Sequence, residues 1–255
     1  MLETRDLTIR FGGHVAVDHV SCAFAPGTLT AIVGPNGAGK TTYFNLISGQ
    51  LPASEGRVLL GGQDITTLPA PLRTRRGLGR AFQLTQLFPN LTVHENVRLA
   101  IQAREAGRGR GGLDLWHVWS DHKAWIDEAQ AILAQVRLAD KAAATASSLP
   151  HGDQRKLEVA LLIALDPKVF MFDEPTAGMS VDEVPVVLDL IRMLKSRKDV
   201  TILLVEHKMD VVRELSDRII VLHNGQLVAD GEPAAVIASP VVQQAYLGMA
   251  AEEPA

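Results

Sequence analysis

Gly34-Pro35-Asn36-Gly37-Ala38-Gly39-Lys40-Thr41-Thr42 follows the apolar run Leu29-Thr30-Ala31-Ile32-Val33. The segment satisfies G-x-x-x-x-G-K-[ST] at each required position, in the strand–loop–helix setting that the pattern needs. Such a loop turns several backbone N–H groups toward one point, and the following helix adds its positive end. Lys40 then reaches the β- and γ-phosphates, and the Thr41 hydroxyl ligates Mg²⁺. A chance Gly-rich turn is the alternative, and the apolar strand feeding the loop argues against it. The motif reads as a nucleoside triphosphate site.

A second chemical group lies at Val169-Phe170-Met171-Phe172-Asp173-Glu174-Pro175. Four apolar residues make a buried strand whose C-terminal end delivers adjacent carboxylates, and in a doubly wound sheet that end faces the ligand cleft. Asp173 suits Mg²⁺, directly or through water, because hard cations prefer carboxylate oxygen. Glu174 suits the general base, or the group that orients an attacking water. An acidic pair capping a helix is the competing reading, weakened by the phosphate loop elsewhere in the chain. Gln83, in Ala81-Phe82-Gln83, offers a neutral amide that could bind Mg²⁺ or the water and sense the γ-phosphate. His207 follows the apolar strand Thr201–Val205. If that strand lies beside the one ending in Asp173, the imidazole reaches the same cleft and can donate to the γ-phosphate. Leu149-Pro150-His151-Gly152-Asp153 then joins a Gly-containing turn to a helix start, a second anion-binding geometry in one chain.

These groups need a scaffold, and the hydrophobic pattern describes one. Residues 1 to 33 read as short β segments split by Gly12-Gly13 and Pro26-Gly27, and Arg57–Leu60 reads as a strand entering a Gly61-Gly62 hairpin turn. Thr41 to Gly49 is the helix behind the phosphate loop, stopped at Gly49. Between about 91 and 150 the chain turns helical: Thr92 and Glu95 form a capping-box pattern, and apolar residues recur at helical spacing from Asp121 to Val136. Gly107 to Gly112 is a solvated connector, and Trp116 and Trp119 pack on one helical face. Helices at Asp153–Leu165, Asp182–Lys195 and Met209–Leu215 alternate with strands at Lys168–Phe172 and Thr201–Val205. Runs buried on both faces suit a parallel sheet. Arg218–Leu222, Asn224-Gly225 and Gln226–Ala229 form a hairpin, and Ala250–Ala255 is a tail.

Composition narrows the partners. The 255 residues are 47% hydrophobic and 21% charged with a net charge of −4, which gives no bulk electrostatic reason to expect nucleic acid. One cysteine, Cys22, excludes an intramolecular disulfide framework and reads as a small buried hydrophobe. The N-terminus lacks a signal-peptide pattern, and no apolar run approaches the roughly 18 residues that cross a bilayer.

In order and spacing, 34–42, Gln83, 149–158, 169–175 and His207 resemble the ATP-binding subunits of ABC transporters over nearly the whole chain. The resemblance implies one cassette over 1–249: an α/β P-loop core with a mostly parallel sheet and an N-terminal antiparallel β subdomain (1–83 and 165–249), and a helical subdomain (84–164). It implies ATP and Mg²⁺, and head-to-tail pairing with a second such subunit, identical or not. The 149–153 segment of one subunit would complete the ATP site of the other. Integral membrane permease subunits and, indirectly, a periplasmic solute-binding protein are the further partners implied, at the cytoplasmic face of the inner membrane. Phe11 looks like the aromatic that stacks on adenine. Leu-Pro-His-Gly, Pro175-Thr176-Ala177-Gly178-Met179, the linker around 104–123 and Ala245-Tyr246-Leu247-Gly248 are similar to branched-chain amino-acid importers and their urea and amide relatives. Four positions depart from the usual family pattern. Pro150 replaces a serine, Asp153 a glutamine, and Lys208 the aspartate after His207. Ser180 stands in place of an aspartate and forms a capping-box pattern with Glu183.

Overall fold

A computed structural model describes residues 1–81, 87–108, 123–240 and 242–243. Gln83, Trp116, Trp119 and the tail lie outside the described residues. In chain order the elements are β1 (Leu2–Phe11), β2 (His14–Phe24), β3 (Leu29–Val33), α1 (Lys40–Ser48), β4 (Glu55–Leu60), β5 (Gln63–Asp64), α2 (Ala70–Arg75), β6 (Leu78–Ala81) and α3 (Val93–Gly107). They continue with α4 (Lys123–Gln135), α5 (His151–Leu165), β7 (Val169–Asp173), α6 (Val184–Lys195), β8 (Thr201–Val205), α7 (Met209–Leu215), β9 (Arg218–His223), β10 (Gln226–Gly231) and α8 (Pro233–Ile237). Contacts divide the chain into two compact units: Met1–Leu78, Lys168–Glu174 and the residues from Lys195 on; and Gly79–Pro167 with Pro175–Leu194.

The first unit holds two sheets. An antiparallel sheet runs β2-β1-β4-β5. The other runs β10-β9-β3-β8-β7 and reaches the start of β6 at Leu78. Within it β3 pairs in parallel with both β8 and β9, and β7 pairs in parallel with β8. All residues of β3, β7 and β8 are buried, and alternation along β3 shows why. Ile32 joins the core with Tyr43, Phe44, Leu46 and Ile47 of α1, whereas Ala31 and Val33 join Val212 of α7 and Val236 of α8. Helices on both faces require apolar residues at consecutive positions. Cys22 is buried in the α1-side core as a free thiol.

The first two strands are longer than the short segments expected from the Gly and Pro punctuation. Register shifts keep β1 and β2 paired through irregular points, one of them beside Asp6 at φ 46°. The turns fall where Gly12 and Gly27 take positive φ. α5 opens at His151, two residues before the expected start, because Pro150 with ψ 156° serves as its non-helical cap. α6 begins after a turn in which Val184 N–H donates to Ser180 O. The Asn224–Gly225 turn joins β9 to β10 with φ of 49° and 79°.

In the second unit α3, α4 and α5 pack on one another. Thr92 and Glu95 form both arms of the capping box at the start of α3. Arg104 of α3 forks onto Glu128 of α4 at 2.7 and 2.8 Å and donates to Ala164 O at the end of α5. One guanidinium thus ties three helices together.

Candidate active site

The phosphate loop is held from below by backbone. A Cβ at Gly34 (φ 155°) would lie 2.2 Å from Leu222 O, and one at Gly39 (φ 96°) 2.5 Å from Ala16 O. Both obstacles are main chain and cannot swing aside, so side chains at 34 and 39 are excluded on two grounds. Gly225 N–H donates to Ala38 O at 3.1 Å, so the β9–β10 turn braces the loop. That brace is legible in sequence only as a hairpin turn. Asn36, Gly37 and Thr41 stay exposed on the open side, with Pro35, Gly39 and Thr42 half-buried and Ala38 buried. No side chain caps α1 at Gly39, and the first amides of a helix have no intrahelical acceptor. An anion on the open side can take those amides.

Lys40 is buried, and its Nζ donates to Gly34 O at 2.7 Å and Pro35 O at 2.9 Å. An ammonium has three donors, so one remains after both carbonyls are satisfied. Burial lowers the Lys40 pKa, and the charges of Glu174 and Asp173 partly restore it.

β7 and β8 run in register with Asp173 opposite Val205. Pairing continues one step further, where Glu174 N–H donates to Val205 O at 2.9 Å. Asp173 is buried, whereas the Glu174 and His207 side chains are 41% and 44% exposed. His207 Nε2 lies 2.9 Å from Glu174 Oε1. An ionised carboxylate only accepts hydrogen bonds, so Nε2 carries the proton in this pair. The two strand ends do bring Glu174 and His207 together, as the sequence suggests. Glu174 also holds φ 51°, a left-handed conformation costing a non-glycine residue of order 1 kcal/mol. Nothing in the sequence signals that strain.

Phe11 is 49% exposed at the end of β1, opposite His14. It sits at the tip of the hairpin whose β2 arm touches the phosphate loop at Ala16.

In the second unit, Pro150 precedes α5 and no side chain caps that helix. His151 is exposed, with its ring against Gly178. Gly152 is covered by the Glu183 carboxylate: a Cβ there would lie 1.7 Å from Glu183 Oε1. Glu183 Oε2 accepts from Ser180 N at 3.1 Å and Ser180 Oγ at 3.0 Å, which is the glutamate arm of the capping box read from sequence. Asp153 places in the first turn of α5 a carboxylate whose charge, by type and position, is expected to face its own helix N-terminus, and the structure corrects that expectation. Its buried carboxylate pairs with Lys141 and, at 2.7 Å, with Lys156 instead of answering its own helix start. Burial pushes its pKa up, but the two lysine bonds outweigh that and hold it below the ordinary carboxylate value.

A glycine-braced loop, a buried lysine and paired acid and imidazole at adjacent strand ends define a nucleotide-hydrolysing P-loop site. The family model described as ABC transporter matches residues 17–177. The chain belongs to that family and is an ATPase of the ATP-binding cassette fold. It is 38% identical over 251 residues, 98% of each chain, to the high-affinity branched-chain amino acid transport ATP-binding protein LivG of Escherichia coli (strain K12). It is 37% identical over 252 residues, again 98% of each, to BraF of Pseudomonas aeruginosa, which has the same description. Among solved structures it resembles the ADP conformation of MJ1267, an ATP-binding cassette of an ABC transporter. There the TM-score is 0.79 at 31% identity, covering 97% of this chain and 98% of that one. ATP-binding subunits of ABC importers pair with one another and act with membrane permease components. No helix among the described residues is long and apolar enough to cross a membrane.

Proposed function

We propose that the chain is the ATP-hydrolysing subunit of a branched-chain amino-acid importer, peripheral at the cytoplasmic face of the membrane and paired with a like subunit. The pair would drive permease subunits fed by a periplasmic solute-binding protein. Support for the solute class comes from LivG and BraF, which match this chain nearly end to end.

The roles follow from position. Residues 34–42 cradle the triphosphate, with the remaining Nζ donor of Lys40 on a phosphate oxygen. Phe11 stacks on the base. The exposed Thr41 hydroxyl and the buried Asp173 carboxylate fit Mg²⁺, which takes few protein ligands and completes its shell with phosphate and water. When bound, the ion neutralises charge on the β- and γ-phosphate oxygens. Gln83 is assigned to the water or the ion by its sequence position alone. Glu174 accepts the proton of the attacking water, and His207 redirects its Nε2–H hydrogen bond from Glu174 to the γ-phosphate. Phosphoryl transfer asks chiefly for positioning and charge stabilisation, and this residue set offers both. The start of α5, with Pro150, His151 and Gly152, faces the partner's nucleotide. Pro150 supplies neither hydroxyl nor N–H there, and the Asp153 side chain is engaged elsewhere.

The 2.9 Å pair of Glu174 and His207 at the ends of adjacent strands carries this reading. Glu174→Gln tests it: ATP-dependent dimers without turnover are expected, and undiminished hydrolysis overturns Glu174 as the base. Loss of leucine, isoleucine and valine uptake on deleting the gene tests the solute class.

A further inference from the structure

We infer that Glu206 is a positioning residue for hydrolysis, fixing His207 through the backbone without touching the nucleotide. The inference rests on the roles proposed above for His207 and Glu174.

Glu206 follows the last residue of β8 and is 4% exposed. Its Oε2 accepts from His207 N–H at 2.7 Å and from Lys208 N–H at 3.3 Å. These two amides belong to the link between β8 and α7, and no side chain caps α7 at Lys208. The Glu206 carboxylate, two residues before the cap, instead holds the link leading into α7. Such charge-assisted bonds to consecutive amides fix the local backbone direction. That direction decides where the His207 ring goes, because its half-exposed side chain has one described polar partner, Glu174 Oε1. Glu174 itself is held at Val205 O, the residue just before Glu206. The Val205–His207 segment therefore sets both members of the pair: one by a strand carbonyl, the other through the Glu206 carboxylate.

The phosphate loop takes its support from Ala16, Leu222 and Gly225. Nothing in that list depends on Glu206. Its loss therefore separates chemistry from binding, which general loosening of the fold does not do. Glu206→Ala leaves two amides without their acceptor. The expected result is a fall in kcat of about tenfold, the scale of one lost charge-assisted hydrogen bond, with ATP affinity within about twofold of wild type. Glu206→Gln keeps an acceptor oxygen in place and is expected to restore kcat to within about threefold.

Steady-state ATPase assays and equilibrium titration with ATP on the full chain read both quantities. The inference is overturned if Glu206→Ala keeps wild-type kcat, if kcat and ATP affinity fall together, or if Glu206→Gln is as slow as Glu206→Ala. Amide exchange of wild type adds a test that needs no variant. His207 and Lys208 N–H are expected to be protected, and exchange at unprotected rates overturns the inference even where Glu206→Ala does not fold. The result stays distinct from that of Glu174→Gln, whose undiminished hydrolysis removes the base assignment and says nothing of the Glu206 bonds.

Discussion

Arg73 allows a quantitative test of how the phosphate loop is supported from a distance. Its guanidinium is almost wholly buried on α2 and donates only to backbone: Nε to Leu68 O, Nη1 to Leu46 O and Ile47 O, and Nη2 to Thr66 O, at 2.6 to 2.8 Å. Leu46 and Ile47 lie in the last turn of α1, where carbonyls lack intrahelical donors and the helix end carries partial negative charge. Lys40 and Thr41 stand at the other end of the same nine-residue helix. Gly49 belongs to this arrangement twice. It closes α1 at φ 79°, and a Cβ there would lie 2.6 Å from Arg73 Nε.

Arg73→Met removes four donors at once. Charge-assisted bonds are worth roughly 1.5–3 kcal/mol each, so simple addition gives about 6–12 kcal/mol. The sum is too large, because burying a lone cation itself costs several kcal/mol that the variant recovers. Burial does lower the Arg73 pKa, with only the Asp64 charge opposing it. A net loss of about 3–5 kcal/mol is left, near the upper end for a single substitution. For a chain of this size, that is a fall in Tm of roughly 10 °C. Arg73→Lys keeps charge and some donors and should lose about half as much. Urea unfolding followed by circular dichroism gives the stabilities, and amide exchange of Tyr43 to Ile47 localises the loss to α1. A cost below about 1 kcal/mol for Arg73→Met, or equal costs for Met and Lys, would refute the bookkeeping.

Other outcomes follow from charges in the second unit. Asp153 has a folded-state pKa below its unfolded value, so its stabilisation is present above about pH 4 and fades as pH falls through the folded value. Asp153→Asn should cost about 1–3 kcal/mol at pH 7, and the gap to wild type should close below about pH 4; a gap constant with pH in urea titrations contradicts this. Glu183→Gln removes the negative charge lying over Gly152. ATP-dependent pairing, measured by light scattering in a Glu174→Gln background, should then need about two- to fivefold less ATP, the scale of one carboxylate at a helix start. An unchanged ATP requirement shows that the carboxylate does not compete with the partner's phosphate.

The legible parts of this molecule are those where local chemistry and global position coincide. The strand Thr201–Val205 and the helix Met209–Leu215 fall at the residues that the apolar pattern gives, since a strand buried on both faces reads as a near-continuous apolar run. The Asn224-Gly225 turn and the Thr92–Glu95 box are local motifs and form as read. Helix α2 has no counterpart in the hydrophobic pattern. Its apolar stripe is short, its one buried residue is an arginine, and the available signal was Pro69 and Pro71 flanking its start. The partners of Arg73, Asp153 and Glu206 were invisible for a different reason. Each charge is satisfied by carbonyls, lysines or amides whose proximity only the fold creates. Glu183 was legible halfway: its capping arm to Ser180 follows from i, i+3 spacing, but its seat on Gly152 joins residues 31 apart in sequence.

The site residues divide by how tightly they are held, and the division matches their chemistry. The residues proposed to grip phosphate sit on closely packed backbone: Gly34 and Gly39 lie against carbonyls, Ala38 O is bonded to the next hairpin, and Lys40 is bonded to its own loop. A cradle of this kind loses little freedom on binding, so most of the interaction energy appears as affinity. Glu174 and His207 are the opposite case. Both side chains are over two-fifths exposed, they satisfy each other, and Glu174 stands in a left-handed conformation. In the proposed mechanism, redirecting the His207 Nε2–H from Glu174 to a phosphate oxygen would break their hydrogen bond and free the carboxylate for water. The exchange costs little, because one charge-assisted bond replaces another. In the structure the pair is closed and Glu174 Oε1 is engaged by His207. The energetic requirement of the proposed switch is only that phosphate bind the imidazole better than Glu174 does.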